Sequence, residues 1–291
     1  MIYLTITTLV WAFSFSLIGV YLSGQVDPYF AVLTRILLAT LVFAPLLRPR
    51  HLTLRLAGQL MAIGAIQLGV MYVFYYHAFL LLTVPEVLIF TIFTPVYITL
   101  FHDLLAGRFN PGYLVSALLA VLGAAIIRYD GLSEQYLVGF LVVQGANLCF
   151  AVGQVAYKWL LARQPRPVPQ HSVFACFFLG ALLVALPAWW WLGGSRYPST
   201  PLHWGILLWL GLVASGLGYY WWNKGATLVN PGALAVMNNA LIPAGLVVNL
   251  LLWGKAADVP RLLLGALLMS LALWLNERWH ARRRQTVPGC A

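Results

Sequence analysis

Leu82-Thr83-Val84-Pro85-Glu86 returns 146 residues later as Leu228-Val229-Asn230-Pro231-Gly232, and Thr94-Pro95 returns 148 residues later as Ile242-Pro243. Aromatic clusters precede both copies: Tyr72, Tyr75 and Tyr76 before the first, and Tyr219, Tyr220, Trp221 and Trp222 before the second. An echo on this scale divides the chain into two repeats, residues 1–131 and 132–281, and leaves 282–291 as a basic tail.

The surroundings of the two copies say what solvent they live in. Of 291 residues, 62% are hydrophobic and 8% are charged, against roughly 25% charged in a soluble domain. Lipid rather than water must face most of this surface. About twenty apolar residues rising ~1.5 Å each cross a hydrocarbon core of ~30 Å. Apolar runs between charged, Pro-rich or Gly-rich breaks predict spans near residues 3–22, 29–47, 57–79, 84–105 and 112–128, then 136–161, 173–192, 203–222, 232–254 and 260–279. Five spans per half is an odd number, so the second half enters the membrane from the opposite side and the repeat is inverted. The expected fold is therefore all-α, a polytopic membrane protein of ten transmembrane helices in two inverted five-helix repeats. Residues Tyr3 to Leu22 lack a basic leader and a small-residue cleavage site, and read as a retained helix.

The net charge of +10 reflects Lys and Arg in short loops between apolar runs, which argues for membrane topology and against a nucleic-acid partner. With the N-terminus inside, the cytoplasmic loops hold 12 basic residues, counting Arg48, Arg108, Lys158, Lys224 and Arg282 among them, and the opposite face holds 4. The positive-inside rule then places both termini in the cytoplasm. Anchoring of that topology accounts for the Arg282-Arg283-Arg284 run; acidic lipid or RNA are the alternatives. Cys149, Cys176 and Cys290 are scattered without a CxxC spacing, so neither a disulfide framework nor a metal site is expected. The lipid bilayer is the partner that composition requires.

A charge in hydrocarbon costs about 2.5–3.5 kcal/mol on insertion scales, so deep polar residues must face protein or a water-filled cavity. Arg35 is the one basic residue clearly inside a span. Its planar fork suits a substrate carboxylate; an interhelical brace is the competing role. Glu86, at the start of span 4, is placed for proton coupling, or to pair with a helix N-terminus or with Arg35. His102 and Asp103 read as a solvated interfacial cluster. Pro95 and Pro243 fall inside spans 4 and 9, where a bend frees carbonyls to line a cavity. Asn238 and Asn239 sit beside the second bend, and Gln144, Asn147 and Gln154 share one face of span 6. They form either a pocket wall or interhelical glue. Trp11 and Phe15 on span 1, Tyr72 and Tyr75 on span 3, and Tyr219 and Trp222 on span 8 offer rings for stacking on a ligand.

Taken together, Leu9-Val10-Trp11-Ala12-Phe13-Ser14-Phe15, Gln67-Leu68-Gly69-Val70-Met71-Tyr72, Thr94-Pro95-Val96-Tyr97-Ile98-Thr99-Leu100, Ile126-Ile127-Arg128-Tyr129-Asp130 and Met237-Asn238-Asn239 resemble the drug/metabolite transporter superfamily, EamA type. Within it the chain is similar to the biotin permeases of enterobacteria. The resemblance covers nearly the whole chain. It implies a secondary transporter of the bacterial inner membrane importing biotin; an exporter of amino acids or amphiphilic metabolites is the alternative. It implies no cofactor, and no Walker motif points to direct ATP use. A membrane-embedded enzyme would need paired acids or a His and acid pair. The seven acidic residues are nowhere adjacent, so no enzyme is expected.

Overall fold

Helix starts along this chain repeat one piece of chemistry, a short polar side chain that accepts a backbone N–H left over in the first turn. Asp27 accepts from Phe30 N at 2.7 Å, Thr53 from Leu56 N at 3.1 Å, Thr200 from His203 N at 3.3 Å and Asn230 from Ala233 N at 2.9 Å. Pro28, Pro201 and Pro231 follow three of these caps in the first turn, where a missing N–H costs nothing.

The computed structural model describes residues 1–82, 87, 90–128, 136–253 and 259–286. Among them there is no strand. Ten helical segments follow in order. They are α1 (Ile2–Leu22), α2 (Pro28–Leu46), α3 (Leu54–Ala78), α4 (Thr91–Ala106) and α5 (Pro111–Arg128), then α6 (Tyr136–Ala162), α7 (Ala175–Leu192), α8 (Pro201–Leu228), α9 (Pro231–Leu252) and α10 (Val259–Thr286). Seven helices, α1–α3 and α6–α9, are long and apolar enough to cross a membrane. Glu86 and its neighbours Thr83, Val84 and Pro85 lie outside the described residues, so the first copy of the opening motif is seen only at Leu82.

Much of the packing is symmetric between the first five helices and the last five. The pairs α2–α8 and α3–α7 exchange when the first five helices are swapped for the last five, as do α3–α6 with α1–α8 and α4–α6 with α1–α9. The pairs α5–α10, α2–α7 and α4–α9 map onto themselves. Small residues permit the closest of these approaches, because lipid offers no hydrophobic drive and helices gain by dense contact. A β-carbon at Gly64 would overlap the Phe177 carbonyl, and one at Gly180 would overlap the Met61 carbonyl, so α3 and α7 touch backbone to backbone.

Two backbone irregularities also recur. α3 and α8 each contain a π-helical segment, Ala65–Val70 and Leu210–Leu217, directly before the aromatic clusters that mark the repeat. α4 and α9 are each interrupted. In α4 a 3₁₀ turn, Thr91–Phe93, precedes an α-helix that begins at Thr94, so Pro95 starts a helix instead of bending one. In α9 the break falls at Ala240, between Pro231–Asn239 and Leu241–Trp253. In α4 the expected mid-span bend is thus a helix restart, where Pro95 loses no hydrogen bond, whereas in α9 Ala240 N and Ala244 N keep their bonds to the Val236 and Ala240 carbonyls and Pro243 removes the donor for Asn239 between them.

Three sequence-based placements change. Lys158 is not in a loop: it lies within α6 and donates to the Ala226 carbonyl at 3.1 Å and to the Val229 carbonyl, at the end of α8. Asp103 is buried, not solvated. It accepts the Asn110 N–H at 2.6 Å, with His102 Nδ1 3.2 Å away, because the start of α5 needs an acceptor. Finally, α10 runs on to Thr286, so Arg282 to Arg284 belong to a helix, not to a tail beyond it.

Candidate functional site

The two breaks, and the aromatic turns that follow the two π segments, border one cavity of about 130 Å³. Its walls come from α1, α2, α3, α4, α6, α8 and α9. Of the residues singled out from sequence, Trp11, Phe15, Arg35, Tyr72, Tyr75, Asn147, Tyr219 and Asn238 line it. Gln154, Trp222 and Asn239 do not.

Those three stand behind the wall and hold it. Gln154 Oε1 accepts from Trp222 Nε1 at 2.9 Å and from Asn238 Nδ2 at 3.3 Å. This ties α6, α8 and α9 together at one end of the cavity. Leu4, Val155, Ala226 and Leu234 pack with Trp222 in one buried apolar cluster. Trp222 is 1% exposed and its ring stacks on Trp11 at 5.0 Å, so Trp11 can face the cavity with its back supported. Asn239 donates to the Ile92 carbonyl at 3.0 Å and to the Ala120 carbonyl at 3.2 Å.

Asn147 has both roles that the sequence left open. It lines the cavity, yet its Nδ2 donates to the Phe90 carbonyl at 2.8 Å and to Gln144 Oε1 at 3.1 Å. Gln144 Nε2 donates to the same Phe90 carbonyl at 3.1 Å. The helix restart in α4 leaves that carbonyl without an N–H four residues on, since residue 94 begins a new helix, and the α6 amides replace it.

The charge in the site is Arg35, 5% exposed. Its Nη2 donates to the Tyr72 hydroxyl at 2.6 Å, Nη1 to the Tyr76 hydroxyl at 2.8 Å, and Nε to Ser215 Oγ at 3.1 Å. Its Cζ also lies 4.9 Å from the centre of the Tyr72 ring. All these partners are neutral. Among the described residues Arg35 has no ion pair, and the sole pairing of that kind is His102 with Asp103. A cation enclosed in this way lacks its counter-charge, which a bound anion would supply. Much of the remaining wall is aromatic: Trp11, Phe150 and Tyr219 meet with centroids 5.3–6.2 Å apart, and Phe15 meets Tyr75 edge-on at 6.0 Å. Tyr76, Phe150, Thr91, Thr94 and Ser14 also line the cavity. Tyr76 was within reach of sequence reading, since it lies four residues after Tyr72 on the same helical face. Nothing local marks Phe150 or the hydroxyls.

A bundle of apolar helices enclosing a cavity with one uncompensated cation, an aromatic wall and a few amides defines a polytopic membrane protein with a small-molecule site. The chain belongs to the EamA-like transporter family, whose domain matches residues 1–129. It is 57% identical over 276 residues to a probable biotin transporter of Pseudomonas aeruginosa, covering 94% of this chain and 96% of that one. It is 52% identical over 282 residues to the biotin transporters of Escherichia coli K12 and Salmonella typhimurium, covering 96% of this chain and 94% of each of those. A crystal structure at 20% identity shares the fold with a TM-score of 0.76, covering 95% of this chain and 96% of that one.

Proposed function

We propose that this protein is a secondary transporter that carries biotin into the cell across the bacterial inner membrane, with both termini cytoplasmic. The observation that carries the reading is Arg35, buried in the cavity wall without a carboxylate among the described residues. Biotin brings a carboxylate, an apolar chain and a neutral ureido ring. Arg35 answers the first, Trp11, Phe150 and Tyr219 the second, and Asn147 and Asn238 the third. An amino-acid exporter fits less well: a zwitterion's ammonium calls for an acid, and none of the described cavity-lining residues is acidic. The names of the relatives also favour biotin over the exporter.

In this reading the halves 1–131 and 132–281 rock about the cavity, the symmetric helix pairs acting as the bearing. Glu86, outside the described residues, is assigned the coupling proton. No chemical step is assigned to the protein, and it acts on its cargo by binding alone. The test is uptake of labelled biotin by cells that lack biotin synthesis and their own uptake system. Expression-dependent accumulation at nanomolar to micromolar biotin is the expected outcome, and its absence in cells shown to insert the protein would end the reading. Uptake indifferent to a collapsed proton gradient would remove the role of Glu86 alone.

A further inference from the structure

A guanidinium on a long stem can point its charge in many directions, so a site that uses one must hold its plane. Here the plane is held from three sides, by Ser215 on Nε, Tyr76 on Nη1 and Tyr72 on Nη2. Three hydroxyls orient the cation without neutralising it. They engage three of the five N–H donors of the group and leave two for a ligand. The tyrosines both come from α3, whereas Ser215 comes from α8, in the other half of the chain.

Ser215 reaches Arg35 because of how α8 is built. It lies in the π-helical segment Leu210–Leu217, and successive helical residues turn by about 100°, so the wider turn sets which residue faces α2. The approach is close: a β-carbon at Gly211 would come within 2.6 Å of the Leu38 side chain on α2. The same segment presents the Ala214 carbonyl to Trp11 Nε1 at 2.8 Å, so one irregular turn anchors both the cation and the principal aromatic of the cavity. Ser215 is fully buried, so water does not compete for its hydroxyl.

We propose that Ser215 is a positioning residue of the substrate site. By holding Arg35 through Nε it fixes the guanidinium plane, and so sets the preference for a ligand bearing a carboxylate over its neutral derivatives. This rests on Arg35 as the carboxylate partner and biotin as cargo.

The experiment is Ser215→Ala in the full chain, with Ser215→Gly as a second variant lacking the same hydroxyl. Initial rates of labelled biotin uptake are measured across concentration and normalised to inserted protein. Unlabelled biotin and biotin methyl ester serve as competitors. KM for biotin should rise about tenfold, the size of one lost hydrogen bond to a charged group, with the maximal rate within about twofold. Inhibition by the ester should be unchanged, so the discrimination between acid and ester falls by the same factor. An unaltered KM overturns the proposal. So does an equal weakening of acid and ester, which would make Ser215 plain packing between α2 and α8. Failure of the unsubstituted protein to take up biotin would instead remove the reading beneath it, and with it this one.

Discussion

The Asn239 side chain donates to the Ile92 carbonyl at 3.0 Å, so the residue that ends the first half of α9 satisfies the backbone of the 3₁₀ turn that opens α4. The two interrupted helices are joined at their interruptions. Asn239 is 2% exposed and does not line the cavity, which makes it a structural tie. Asn239→Ala leaves the carbonyls of Ile92 and Ala120 buried without this donor, at a cost of about 1–3 kcal/mol for an unmet buried group. The melting temperature in detergent should fall, while KM of the protein that remains folded stays at its original value. A raised KM with unchanged melting would place Asn239 in the site instead.

Arg35 makes the opposite prediction. Truncating one partner of a buried, hydrogen-bonded charge pair costs about 2–5 kcal/mol, so Arg35→Ala should weaken apparent biotin affinity by about a hundredfold or more. Arg35→Lys keeps the charge but cannot engage Ser215, Tyr72 and Tyr76 together, and should lose at least about tenfold. Uptake kinetics on correctly inserted variants decide this. Normal transport by both would show that the cation does not touch the cargo.

The helices were legible because an apolar run and a Pro cap are local signals. The spans therefore differ from the observed helices mainly where a helix outlasts its apolar stretch, as α10 does in running past residue 279 to Thr286. Arg35 was legible as a residue that must face protein or a cavity, because a charge in lipid is costly, and the rings of Trp11 and Tyr72 as candidates for stacking on a ligand. Amides are different. Asn147, Asn239 and Gln154 look alike in sequence, and only the neighbouring helix decides whether an amide meets a ligand, a broken backbone or another amide. Ser215 carried no signal, since its meaning depends on a π turn and on α2 lying opposite.

Glycine positions separate packing from propensity. At Gly180 a β-carbon would run into the Met61 backbone, whereas at Gly205, on an open face of α8, it would meet nothing within 4 Å. Gly180→Ala should destabilise by about 1–3 kcal/mol or more as α3 and α7 are pushed apart. Gly205→Ala should be neutral or stabilise by up to about 1 kcal/mol through helix propensity. Thermal unfolding in detergent measures both, and similar melting temperatures for the two variants would contradict the contact between α3 and α7.

Lys158 bears on how α8 hands over to α9. Its ammonium holds the Ala226 and Val229 carbonyls, which end one helix, one residue before the Asn230 cap that starts the next. A cation at a helix C-terminus is worth about 0.3–1 kcal/mol when exposed and up to ~2 kcal/mol when partly buried. Lys158→Met keeps the apolar stem and removes the donor, so the last turn of α8 should fray while the rest of the bundle is unchanged. Amide hydrogen exchange in residues 226–230 should accelerate about tenfold, following from ~1.4 kcal/mol of lost local stability, with α3 and α7 protected as before. Lys158→Arg, which retains a cation and its donors, should exchange much more slowly than the Met variant. Equal exchange in the Met variant and the unsubstituted protein would show that the α8 terminus is held by its own backbone and the Asn230 cap, with Lys158 merely lying across it.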